Sequence, residues 1–130
     1  MIIQLKTALA AAAGAVSGWD RLITVLCLMM AADWLSGVLL GFIGKSPKSE
    51  SGALSSREGA KGLARKGLML SVVLVAALLD SVLGSESVCR DTVCWFYIAN
   101  EGLSLLENLN LAGVPFPEKL KQLLGERRDK

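Results

Sequence analysis

The chain has 130 residues, of which 52% are hydrophobic, and its 14 basic and 12 acidic residues leave a net charge of +2. It contains no histidine, the side chain that most often serves as a general base or a metal ligand. The three cysteines lack the paired spacing of a zinc site. We therefore expect no enzyme activity, no catalytic residue, no cofactor, no metal and no nucleic-acid partner.

The opening segment, residues 1–18, is rich in alanine and has some features of a signal peptide. It lacks the positively charged start of a signal peptide, because Lys6 is its one basic residue and follows several apolar ones. We predict an uncleaved short helix that packs on the rest of the protein or lies at a membrane interface. A marginal extra span remains an alternative.

Three apolar stretches follow, at residues 22–43, 67–83 and 93–111. The first would be roughly 33 Å long as a helix, enough to cross the hydrocarbon core. The third is the weakest, since it contains Asn100, Glu101, Glu107 and Asn108. A soluble helical bundle is the alternative, but it needs polar helix faces, and residues 22–30 and 68–79 are apolar or small all round. The prediction is an all-α membrane protein with about three transmembrane helices within residues 19–116.

Basic residues indicate the orientation of these spans. They are concentrated in the loop at 45–66 and in the tail at 117–130, which we expect to be short and amphipathic, whereas the connection at 84–92 has Arg90 alone. Because basic loops stay in the cytoplasm, the pattern predicts a multi-pass protein of the bacterial inner membrane, with the N-terminus outside and the C-terminus inside.

Each predicted span contains a carboxylate: Asp33, Asp80 and Glu101. An aspartate at the centre of a membrane helix costs roughly 2.5–3.5 kcal/mol, so these side chains should face other helices or water. They share helix faces with small and polar residues at spacings of three or four. The candidate oligomer or pore face comprises Asp33, Gly37, Gly41, Asp80, Glu101, Ser104, Glu107 and Asn108.

Two interpretations of this face remain open. In one, these helix faces from several copies of the chain pack against each other, and Gly37 and Gly41 allow the backbones to approach closely. In the other, the carboxylates are satisfied by serine, asparagine and tyrosine neighbours inside a monomeric bundle. A further hypothesis is a disulfide between Cys89 and Cys94, which requires that they lie in a loop facing an oxidising compartment.

The most distinctive segment of the chain is FYIANEGLSLLEN at 96–108, followed by GVPFPEKL at 113–120. Upstream are ADWLSG at 32–37, SSREGAKGLARK at 55–66 and LLD at 78–80. Together these segments resemble the phage holin family that includes the clostridial toxin-secretion holins. The resemblance covers residues 18–124. The alanine-rich opening and the Cys89 and Cys94 pair have no counterpart in it.

The resemblance implies a phage or prophage protein that oligomerises in the inner membrane and forms lesions. Such lesions release an endolysin or let large toxins escape. The implied partners are membrane lipid, further copies of the chain, an endolysin that need not be contacted, and an antiholin. The family offers no catalytic residues to transfer, and the pore-face role of the carboxylates is our inference from the helix faces. The alternative function is a non-lytic membrane scaffold or accessory subunit of a secretion or prophage system.

Overall fold

The computed structural model describes residues 1–7, 20–48 and 51–129, and every regular element in these ranges is a helix. Residues 2–7 are helical, and the rest of the helix predicted over 1–18 lies outside the described residues. Four longer helices follow: α1 Arg21–Phe42, α2 Ser56–Leu83, α3 Val88–Leu111 and α4 Glu118–Asp129.

Side-chain caps fix where α1 and α2 begin. The Asp20 carboxylate accepts hydrogen bonds from the amides of Leu22 and Ile23 at the start of α1. The Ser55 hydroxyl accepts one from the amide of Glu58 at the start of α2. A serine followed three residues later by glutamate is the sequence pattern of a helix N-terminus. This cap starts α2 eleven residues before the apolar stretch, so the predicted loop at 45–66 is shorter than expected.

The connection between α2 and α3 is also tighter than the predicted 84–92. Gly84 ends α2 in the left-handed conformation, with φ 67°, which glycine adopts without steric cost. Only residues 84–87 separate the two helices. The structure therefore forms a helical hairpin, and α3 begins five residues earlier than the apolar stretch that predicted it.

The three long helices pack with α3 in contact with both α1 and α2, while α4 packs on α3. An apolar core holds them together, formed by Leu26, Met30, Val73, Cys94 and Ile98. Leu26 and Cys94 are completely buried. The central position of α3 explains why it has the most buried residues of the three long helices.

Two described helices, α1 and α2, are long and apolar enough to cross a membrane. The third predicted span is a helix as expected, but α3 does not meet the same criterion because of its polar residues. The outer surfaces of α1 and α2 are covered by large apolar side chains, among them Leu28, Leu39, Phe42, Leu68, Val75, Leu78 and Val82. This surface is typical of helices that contact lipid rather than water.

Candidate functional site

A lysine and two carboxylates from three helices meet inside the bundle. The Nζ atom of Lys66 on α2 lies 2.8 Å from Oδ2 of Asp33 on α1 and 2.5 Å from Oε2 of Glu101 on α3. Each of the three side chains is at most 9% exposed. We call Asp33, Lys66 and Glu101 the buried triad. It joins all three long helices through one ammonium group.

Polar neighbours complete the environment of Asp33. The Asn108 amide on α3 donates to Asp33 Oδ1 at 3.3 Å and to the Ser36 hydroxyl at 2.8 Å. The Ser36 hydroxyl in turn donates to the Asp33 carbonyl at 2.8 Å. Among the described residues, no buried side-chain nitrogen or oxygen lacks a hydrogen-bond partner. The desolvation of these charges is therefore offset by complete pairing, the condition under which buried ions are tolerated.

The glycines of the predicted face lie next to parts of the same chain. Gly37 is beside the Asn108 amide, with 3.9 Å between that amide nitrogen and the position a Cβ would occupy. At Gly41 a Cβ would lie 2.7 Å from the Leu54 Cα atom, so only glycine lets the loop before α2 approach. A larger residue at Gly41 would displace this loop, whatever its effect on contact between copies.

Asp80 lies apart from the other predicted residues, at the hairpin between α2 and α3. Its carboxylate accepts hydrogen bonds from the amides of Cys89 and Arg90, both at 2.8 Å, and from the Ser85 hydroxyl at 2.6 Å. Ser87, at the N-cap position of α3, makes no capping hydrogen bond. Asp80 thus caps α3 from the preceding helix and satisfies amides that have no partner within α3.

Arg90 extends this polar cluster to α1. Its guanidinium group donates to Asp20 Oδ2 at 2.7 Å and to Asp91 Oδ1 at 2.7 Å. The hydrogen bond from Arg90 lowers the pKa of Asp20, helped by the amides of Ile23 and Leu22 and opposed by slight desolvation. We call Asp20, Asp80, Ser85 and Arg90 the hairpin cluster.

Cys89 and Cys94 are both free thiols on α3, and Cys94 is buried. The disulfide hypothesis placed them in a loop, but they are five residues apart on one continuous helix. Side chains at that spacing point in different directions, so the loop geometry on which the hypothesis depended is absent.

The remaining predicted residues, Ser104 and Glu107, line a cleft between α2 and α3. The cleft has a volume of about 350 Å³, and Asp33 and Glu101 also contribute to its wall. Ser104 is half-buried and Glu107 is exposed. The structure thus gathers Asp33, Glu101, Ser104, Glu107, Asn108 and Gly37 in one region of the bundle, away from Asp80.

Sequence reasoning missed Lys66, the centre of the triad, and Arg90, the centre of the hairpin cluster. Lys66 was assigned to the cytoplasmic loop because it directly precedes the apolar stretch. The Ser55 and Glu58 capping pattern was the available signal that Lys66 lies well inside a helix. No group of histidine, cysteine, aspartate or glutamate within the described ranges could hold a metal ion.

Comparison with known proteins assigns a family to this arrangement. The profile of the bacteriophage holin family matches residues 10–129. An uncharacterised 14.9 kDa protein in the nagH 3' region of Clostridium perfringens is 41% identical over 113 residues, which cover 86% of this chain and 80% of the relative. The uncharacterised protein Lin0175 of Listeria innocua is 40% identical over 117 residues, covering 85% and 78%.

One relative has a functional name. A probable holin of Bacillus phage phi105 is 33% identical over 100 residues, which cover 77% of this chain and 69% of that protein. No solved structure matches the chain. Because the family profile covers most of its length, the chain belongs to the bacteriophage holin family.

Proposed function

We propose that this protein is a holin that oligomerises in the bacterial cytoplasmic membrane and forms lesions through which an endolysin or a large toxin leaves the cell. The observation that carries the proposal is the family match over residues 10–129. The probable holin of a Bacillus phage among its relatives agrees with it. The function needs no catalytic residue in this chain, because the wall-degrading activity belongs to a separate partner.

The distribution of polar groups supports a membrane role. The outer faces of α1 and α2 are apolar, while Asp33, Lys66 and Glu101 are held between the helices. A single copy can therefore reside in a bilayer without presenting these charges to lipid, where each would be expensive. This is the property required of a protein that accumulates in a membrane before it assembles.

We further propose three spans, with α3 as the third. Although α3 has too many polar residues to meet the hydropathy criterion, its position between α1 and α2 shelters part of its surface from lipid. The basic residues before and within the start of α2, and those of the tail, favour a cytoplasmic location for both segments. The 84–87 hairpin and the N-terminus would then lie outside.

The function is tested by inducing the protein in a bacterium that also expresses an endolysin lacking its own export signal. We expect an abrupt fall in turbidity after a delay, which requires both proteins. Continued growth, with intact membrane potential and the protein abundant in the membrane, would instead identify a non-lytic scaffold or accessory subunit. An antiholin, if the system has one, would lengthen the delay when it is co-expressed.

The orientation is tested separately by cysteine accessibility in a variant whose native cysteines are replaced. A cysteine at Ala53 should react with a membrane-impermeant reagent only after the cells are opened. A cysteine at Ser87 should react in intact cells. Labelling of both positions from the same side would contradict the three-span arrangement, whatever the outcome of the lysis experiment.

A further inference from the structure

We propose that the cleft between α2 and α3 is the surface through which two copies of this chain associate, with Arg65 of each copy paired to Glu107 of the other. The inference rests on the proposed function, since it identifies a contact used in the assembly described there. It differs from the predicted polar face by including Arg65 and by excluding the glycines of α1.

The cleft is polar where the surrounding helix surface is apolar. Its volume is about 350 Å³, and its polar lining is Asp33, Arg65, Tyr97, Asn100, Glu101, Ser104 and Glu107. Lipid chains offer no hydrogen bonds to such a recess, so any part of it that faces the hydrocarbon would be costly to leave open. A polar surface of matching shape and charge is the occupant that removes this cost.

The charges of the cleft complement one another across a two-fold axis. Arg65 and Glu107 are both exposed, and neither forms an ion pair with any residue that the structure describes. By contrast, Lys66, Asp33 and Glu101 are paired within their own chain. In a symmetric dimer each copy presents the same patch to the other, so one basic and one acidic residue on that patch can exchange partners.

The alternative surface, the glycine face of α1, is already in use within the chain. Leu54 packs directly over Gly41, and Asn108 lies beside Gly37. Close approach of a second helix to these glycines would require that both contacts be broken. The α2–α3 cleft needs no such rearrangement, because Arg65 and Glu107 are exposed before any partner arrives.

Reciprocal charge reversal tests this pairing. Copies labelled at the C-terminus with donor or acceptor dyes are reconstituted in vesicles of phosphatidylethanolamine and phosphatidylglycerol, and association is measured by energy transfer. Arg65→Glu alone and Glu107→Arg alone should each weaken association about tenfold, because like charges then face each other. A mixture of the two variants should associate as wild type does, since every contact between unlike variants joins a glutamate to an arginine.

Two controls keep the result interpretable. Arg57→Glu makes the same charge reversal on an exposed residue of α2 outside the cleft lining, and should leave energy transfer unchanged. The neutral variants Arg65→Gln and Glu107→Gln should weaken association less than the reversals do. Mixing them should restore association only in part, because a mixed pair regains one of the two ion pairs. Helical content by circular dichroism establishes that every variant is folded.

The possible outcomes separate this inference from the proposed function. Normal association of both single reversals would overturn the inference and indicate that water or lipid fills the cleft, leaving the holin function intact. If the single reversals weaken association and the mixture fails to restore it, the Arg65 to Glu107 pairing is overturned. If wild-type copies show no association at all, the oligomeric holin proposal fails together with the inference.

Discussion

The buried triad and the hairpin cluster both bury a carboxylate, but they differ in the separation of their partners along the chain. Lys66 is 33 residues from Asp33 and 35 from Glu101. The partners of Asp80 lie 5, 9 and 10 residues away, across one tight connection. The triad therefore requires that three helices dock in a particular rotation, whereas the bonds of Asp80 form once α2 and α3 fold back on each other.

The two sites also differ in how their charge is compensated. Asp80 is held by a serine hydroxyl and by two backbone amides, and the amides are dipoles that remain in place when a neighbouring side chain changes. The triad depends on one ammonium group placed between two carboxylates. Loss of that group leaves two like charges close together in a poorly solvated site, so the triad should be the more fragile of the two.

The largest loss of stability should follow Lys66→Met. Removing the ammonium group while keeping most of the length of the side chain should lower the free energy of unfolding in detergent micelles by about 3–5 kcal/mol, the usual cost of an uncompensated buried charge. Lys61→Met, on the exposed surface of the same helix, should change it by less than about 0.5 kcal/mol. Similar values for both variants would mean that the triad contributes little to stability.

The two carboxylates should behave non-additively. Asp33→Asn or Glu101→Gln alone still leaves Lys66 one carboxylate partner, so each should cost only about 1–2 kcal/mol. The double variant leaves the ammonium group unpaired and should approach the cost of Lys66→Met. A double-mutant cycle measured by denaturant unfolding gives the coupling energy between Asp33 and Glu101. Simple additivity would show that the two carboxylates do not share Lys66.

The triad can also be replaced as a unit. The triple variant Asp33→Asn, Lys66→Met, Glu101→Gln should recover most of the stability that Lys66→Met loses, because no uncompensated charge remains. If the triple variant is as stable as wild type but its lysis time changes, the charges serve assembly rather than folding. Crosslinked oligomers and the onset of lysis, measured on the same cultures, provide that readout.

At the hairpin cluster, Asp80→Ala should cost about 1–2 kcal/mol, the loss expected when a helix cap is removed. Asp80→Asn keeps one acceptor oxygen and should cost less. Ser87→Ala is the matched control, since Ser87 has the N-cap position of α3 but makes no capping hydrogen bond. Thermal unfolding followed by circular dichroism compares the three. Equal losses for Asp80→Ala and Ser87→Ala would contradict the cap assigned to Asp80.

The smallest loss of stability is expected at the pair of Asp20 and Arg90, in which Asp20 is half exposed. Because Arg90 lowers the pKa of Asp20 in the folded state, the charged form contributes stability above the unfolded pKa of about 4. That contribution is lost as the pH falls from about 4 through the lowered folded pKa. It should be below about 1 kcal/mol, since Asp20 is half exposed.

The matched variant for this pair is Asp20→Asn, which keeps an acceptor for the α1 cap and removes the charge. Below pH 4 the difference in stability between wild type and this variant should shrink, and above it the difference should be constant. Unfolding curves at a series of pH values measure it. A difference independent of pH would show that the pair adds nothing beyond the cap.

Much of the fold followed from local properties of the sequence. The apolar stretches at 22–43 and 67–83 correspond to α1 and to the C-terminal part of α2, and their composition alone favoured a membrane protein. The stretch at 93–111 was correctly predicted as helical, although its polar residues leave two candidate spans among the described helices instead of three. Hydropathy and turn-forming residues determine local structure over a few neighbouring positions. They can therefore be recognised in the sequence without knowledge of how the helices pack.

The pairing of charges was decided by the tertiary structure alone. The sequence marked Asp33, Asp80 and Glu101 as residues that must avoid lipid, and all three are buried. It could not show that Asp33 and Glu101 share Lys66 while Asp80 caps α3, because these contacts depend on the rotation and depth at which the helices pack. Helix formation is governed by neighbours in the chain, whereas the compensation of a buried charge is governed by neighbours in space.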